Sequence, residues 1–153
     1  MKAIETDYDG YLFRSRLEAR WAVFFKEMGI TYKYEPRTFD LPKYGWYVPD
    51  FWLQVPWLDL PDYGWYVEVK PKTASDVEFG KLLDACALAH QNGIMLQGSP
   101  FHGQYKTDKI QVWHVDVPHI IYDHKLSLFD VNEVLIGRCV RSALRRASTY
   151  KFS

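Results

Sequence analysis

The chain has 153 residues, of which 19 are basic and 19 acidic, so its formal net charge is zero; 48% are hydrophobic and 17% aromatic. That length suits one globular domain over residues 1–153, and the apolar fraction excludes a disordered chain. Zero net charge argues against coating nucleic acid by bulk charge, no apolar run approaches the roughly 18–20 residues that cross a bilayer, and MKAIETDYDG has no signal-peptide core.

Residues 11–14, YLFR, read as a short extended segment. Ser15 opens a helix in which Leu17, Trp21, Phe24, Phe25 and Met28 form one apolar stripe, and Gly29 closes it. Ile30 to Glu35 alternates as a strand that Pro36 ends. A near-repeat follows: DLPKYGWYV at 40–48 and DLPDYGWYV at 59–67 agree at eight of nine positions. Two copies cannot build a solenoid. The shared Trp-Tyr-Val predicts two sheet strands, about 46–53 and 65–70. Ser75 opens a second helix with Phe79, Leu82, Leu83, Cys86, Ala87 and His90 on one face, ended by Gly93.

Ile94 to Gln97 and Ile110 to Val115 read as strands around a polar loop at 98–109. A last helix starts at Asp130 or Asn132 and runs to about Ser148, with Val134, Leu135, Cys139, Ala143 and Leu144 as its apolar positions. The predicted order α-β-β-β-α-β-β-α makes an α/β fold, a mixed sheet flanked by helices. Cys86 and Cys139 are too few for a disulfide framework or a four-ligand zinc site; they read as buried free thiols in a reducing, cytoplasmic setting. The five histidines show no metal-ligand spacing.

Four polar residues fall where apolar ones are expected. Glu18 borders the packing face of the first helix, and Asp50 follows Pro49 inside the aromatic run WYVPDFWL. In WYVEVK, Glu68 and Lys70 share one strand face while Val67 and Val69 share the other. Such a group on a sheet surface is costly unless paired or metal-bound. Magnesium takes oxygen ligands, often only one or two carboxylates. Asp50 and Glu68, with the Val69 carbonyl, supply such a set. Glu18 reaches a metal-bound water or a second metal, and Lys70 holds the attacking water and offsets phosphate charge. Metal-assisted displacement at a phosphodiester uses these parts.

Pro49-Asp50 followed by Glu68-Val69-Lys70 resembles the PD-(D/E)xK nuclease signature. The upstream block FRSRLEARWAVFFKEMGITYKYEP, residues 13–36, extends the likeness to the phage endonuclease I type of Holliday junction resolvase. The resemblance covers residues 13–71. It implies a restriction-endonuclease-like core, catalytic roles for Glu18, Asp50, Glu68 and Lys70, magnesium with manganese as substitute, and a homodimer acting on branched DNA. The segment between Phe51 and Trp65 is longer than the family needs, and strand parity differs between the repeat copies; a bulge at Pro49 would reconcile them.

For backbone contact with DNA the candidates are Arg14, Arg16 and Lys72 beside the site, and Arg138, Arg141 and Arg145 along one face of the last helix, in a stretch free of acids. Each residue also has a plainer reading. Ser15–Glu18 is a capping box, as is Ser75–Glu78, where no chemistry is expected. Glu68 and Lys70 fit an exposed strand ion pair, and Asp50 fits a turn. Glu35 either joins the site or pairs with Lys33 or Arg37. Two other functions stay open: a nuclease of the same fold with restriction, nicking or transposon end-cleaving specificity, and a non-catalytic DNA-binding module.

Overall fold

The computed structural model describes residues 3–54, 64–100, 111–116, 120–124 and 140–153; for 111–116, 120–124, 140 and 141 it gives the backbone. Its elements are β1 (Thr6–Tyr8), β2 (Tyr11–Phe13), α1 (Arg16–Glu27), β3 (Thr31–Tyr34), β4 (Phe39–Leu41), β5 (Gly45–Tyr47), β6 (Phe51–Gln54), β7 (Trp65–Lys70), α2 (Asp76–Ala89), β8 (Asn92–Gln97), β9 (Gln111–Asp116), β10 (Ile120–His124) and α3 (Val140–Thr149). The fold is mixed α/β. Six strands form one sheet in the order β10-β9-β8-β7-β6-β3, and β1-β2 and β4-β5 are separate hairpins. Within the six-stranded sheet β7 and β8 run parallel, and the other pairs are antiparallel.

The period-2 alternation of β7 builds both layers. Trp65, Val67 and Val69 join Ile94 and Leu96 under α1 and α3, around the fully buried Trp21, Phe24, Phe25 and Phe51. Tyr66 and Met95 face the other way, into a cluster with Leu82, Ala85 and Cys86 of α2 and Phe39, Leu41 and Tyr47 of the β4-β5 hairpin. Burial raises the Cys86 thiol pKa, as an inert core thiol requires. The last turn of α3 is tied back to α1 by Arg20, whose Nη1 donates to the carbonyls of Ala147 and Ser148, each at 2.9 Å. Among the described residues no helix is long and apolar enough to cross a membrane.

Several boundaries differ from expectation. The predicted strand over 46–53 is two strands in different sheets. Proline gives no N–H to a ladder, and the chain leaves β5, passes Val48-Pro49-Asp50, and enters β6 at Phe51. This break takes the place of the expected bulge. The two repeat copies therefore part company: Trp46 stands 75% exposed on β5, whereas Trp65 is 4% exposed in central β7. The helix opened by Ser75 ends at Ala89, with His90 as a left-handed cap at φ 55°. Gly93 lies in β8 instead, where a Cβ would stand 2.6 Å from Cys86 Sγ, so glycine permits the close approach of α2. The extended segment expected at 11–14 is β2; its hairpin partner β1, the turn at Asp9-Gly10, and the strands β4 and β10 lie outside the expected elements. For the last helix, Val134, Leu135, Cys139 and the start at 130–132 lie outside the described residues; Ala143 and Leu144 are buried as expected.

Candidate active site

Glu18, Asp50, Glu68 and Lys70 line one cleft of about 370 Å³, together with Arg14, Tyr47, Glu78 and Lys81. Four elements deliver them. Glu18 is in the first turn of α1, Asp50 sits immediately before β6, Glu68 and Lys70 are at the end of β7, and Glu78 is at the start of α2. The parallel β7-α2-β8 unit explains the last: a crossover helix begins beside the carboxyl end of the strand it follows.

The two acids are buried, Asp50 at 4% and Glu68 at 7% exposure. The Val69 N–H donates to Asp50 Oδ2 at 2.8 Å, and the Asp50 N–H donates to Glu68 Oε1 at 3.3 Å. Tyr47 Oη donates to the same Glu68 oxygen at 3.2 Å. Burial, then the charges of Glu68 and Glu18, push the Asp50 pKa well above the ordinary carboxylate range, with the Val69 N–H and Lys70 opposing. Burial likewise raises Glu68 against the pull of Lys70.

Lys70 Nζ lies 3.2 Å from Glu68 Oε2 and 2.7 Å from Glu78 Oε2. Burial works to lower its pKa, but the bond to Glu78 and the charge of Glu68 prevail and hold the ammonium above the usual lysine value. Arg14 Nε pairs with Glu35 Oε1 at 2.8 Å, and its Nη2 stands 3.6 Å from Asp50 Oδ1. Glu35 is thus the partner of Arg14, while Lys33 lies over the Trp52 ring and Arg37 over Phe39.

The two Ser-x-x-Glu segments differ. At α2 both halves of the capping box form. At α1 Ser15 Oγ accepts the Glu18 N–H at 3.1 Å, but the Glu18 carboxylate does not return the bond; its Oε2 accepts from Tyr34 Oη at 2.6 Å, inside the cleft. Glu18 is therefore held at the site by Tyr34 and is not consumed as a cap.

Among the described residues, Arg14 is the one expected DNA contact that lines the cleft. Arg16, Lys72 and Arg145 are exposed but do not line it. Arg138 and the side chain of Arg141 lie outside the described residues. Sequence reasoning missed Tyr34, Tyr47 and Glu78. The alternation of TYKY puts Tyr34 on one face with Tyr32, which gives no hint of Glu18. Glu78 would have been found by reading β7-α2-β8 as a parallel crossover.

Among the described residues no group of three or more His, Cys, Asp or Glu side chains is gathered to cage a metal. Asp50 and Glu68 offer oxygen donors only. They are buried with a charge repulsion that a hard cation relieves, and the Val69 main chain adjoins them. That donor set fits magnesium or manganese, which keep several waters, and not a closed structural site. The chain matches no family model, no curated protein and no solved structure.

Proposed function

We propose that the cleft is the active site of a PD-(D/E)xK-type nuclease on a restriction-endonuclease-like core, hydrolysing DNA phosphodiesters at branched structures such as four-way junctions. The convergence of Glu18, Asp50, Glu68 and Lys70 from α1, β6 and β7 on one cleft carries this reading, with Glu18 turned away from helix capping. Magnesium, or manganese in its place, belongs to Asp50, Glu68 and the Val69 carbonyl, and supplies an activated water and charge neutralisation. Lys70 presents an ammonium to the attacking water and the phosphate. Glu18 accepts a proton of a water on the α1 side. Arg14, already beside Asp50, offers a planar donor pair to a phosphate oxygen. Branch specificity and a homodimer with two sites rest on the resemblance of residues 13–71; two sites match the two strands that a junction presents.

The test mixes the purified chain with labelled four-way junction or matching linear duplex, with magnesium, with manganese or with EDTA. Paired cuts near the branch that need the cation support the reading. Equal cutting of duplex keeps the nuclease and sinks branch specificity, favouring a restriction or nicking enzyme of the same fold. No cation-dependent cutting of either substrate by folded protein contradicts the nuclease and favours a DNA-binding module.

A further inference from the structure

Among the described residues Lys70 has two carboxylate neighbours, on different elements. Glu68 is on its own strand, and Glu78 Oε2, the nearer at 2.7 Å, is on α2. The other oxygen of Glu78, Oε1, accepts the Ser75 N–H at 3.0 Å, while Ser75 Oγ accepts the Glu78 N–H at 3.2 Å. A capping box uses one carboxylate oxygen. The second oxygen of Glu78 is surplus to capping and is the one that meets Lys70. The cap therefore fixes the carboxylate from behind, and the helix start aims it at the ammonium.

We propose that Glu78 is a positioning residue for Lys70: it takes the shorter of the two ion pairs, 2.7 Å against 3.2 Å to Glu68 Oε2, so that the ammonium is shared and not held by Glu68 alone, and Glu68 Oε2 is more readily taken by a divalent cation. The inference rests on the nuclease reading of the cleft. Without Glu78, the carboxylate left within 4 Å of Lys70 among the described residues is Glu68, at 3.2 Å, and it would hold the ammonium unshared. An ammonium seated there and a cation compete for one oxygen. Removing Glu78 then weakens cation binding through Lys70, and the effect vanishes once Lys70 has no charge.

The experiment measures magnesium affinity by calorimetry on the DNA-free chain, single-turnover cutting of the junction, and the urea midpoint. The variants are Glu78→Ala, Glu78→Gln, Ser75→Ala, Lys70→Met and the Glu78→Ala/Lys70→Met double. Glu78→Ala is expected to weaken cation affinity and slow cutting by about 10–100-fold, the usual effect of losing a residue that orients a metal site, with KM for DNA unchanged. Glu78→Gln keeps the cap, so its midpoint stays near wild type while cation affinity falls as in Glu78→Ala. Ser75→Ala lowers the midpoint and leaves both other readouts alone. In the Lys70→Met background, Glu78→Ala adds no further loss of cation affinity. The inference is overturned if Glu78→Ala keeps wild-type cation affinity, if Ser75→Ala reproduces its losses, or if those losses persist in full without Lys70. A wild type that binds magnesium but cuts no DNA sinks the nuclease reading by itself, and Glu78 is then judged on cation affinity. A wild type that neither binds magnesium nor cuts overturns both.

Discussion

Asp50 and Glu68 are joined through each other's main chain: the N–H of Val69, next to Glu68, donates to Asp50 Oδ2, and the Asp50 N–H donates to Glu68 Oε1. The last β6-β7 pair is Phe51 with Val67, so these bonds continue the junction of the two strands with side chains where the ladder stops. Displacing either acid moves the strand end that carries the other.

The pair gives the metal-free protein a distinct pH response. Both acids are raised in the folded state, Asp50 by burial and then by Glu68 and Glu18, Glu68 chiefly by burial. A raised acid binds its proton more tightly folded than unfolded. Its contribution to stability therefore falls as pH climbs from about 4, the unfolded carboxylate value, through the raised folded value. Each unit of difference is worth about 1.4 kcal/mol. In EDTA at pH 7, Asp50→Asn should raise the urea midpoint above wild type while abolishing cutting. Magnesium should stabilise wild type more than the variant. Equal midpoints in EDTA would contradict the buried repulsion.

Tyr34→Phe tests how Glu18 is held. Tyr34 Oη donates to Glu18 Oε2 at 2.6 Å and accepts the Arg14 N–H at 3.0 Å. A hydrogen bond to a charged group contributes about 1.5–3 kcal/mol, so stability should fall by about that amount or less. Cutting should slow roughly tenfold as the carboxylate loses its anchor, since tenfold corresponds to about 1.4 kcal/mol in the barrier. Single-turnover rates beside urea denaturation check this; an unchanged rate would free Glu18 of any need for Tyr34.

The repeat predicts unequal costs for equivalent substitutions. Trp65→Ala empties a core position and should cost about 3–5 kcal/mol. Trp46→Ala removes an exposed ring and should stay within about 0.5 kcal/mol. Thermal or urea denaturation of the two variants decides it, and similar losses would contradict the separate placement of the two copies.

Gly93→Ala should cost about 1–3 kcal/mol by crowding Cys86 and Leu82. Because the nearest atom is Cys86 Sγ, part of that loss should return in Gly93→Ala/Cys86→Ala relative to the sum of the single variants. Strict additivity in urea denaturation would show that the crowding lies elsewhere.

The sequence announced α1, α2 and β7 because each has its own period and its own start signal, as Ser15 and Ser75 show. It announced the four polar residues because each interrupts an apolar pattern. What stayed hidden depends on contacts distant along the chain. The repeat copies look alike locally, and only Pro49, directly after the first, hints that its strand is cut short. The same Ser-x-x-Glu pattern appears at both helix starts, but Tyr34 draws one glutamate into the cleft while Lys70 shares the other with its cap. Local propensity sees neither partner.

On the proposed reading Glu18, Asp50, Glu68 and Lys70 form one cation-dependent nuclease site. It is tested most directly by single-turnover cutting of a labelled four-way junction in magnesium by wild type and Lys70→Ala, both shown folded by circular dichroism. Wild type is expected to make paired cuts that EDTA abolishes, and Lys70→Ala to cut about 10²–10⁴-fold more slowly, the usual range for losing a group that assists proton transfer. Cutting at the same rate by Lys70→Ala would contradict that reading.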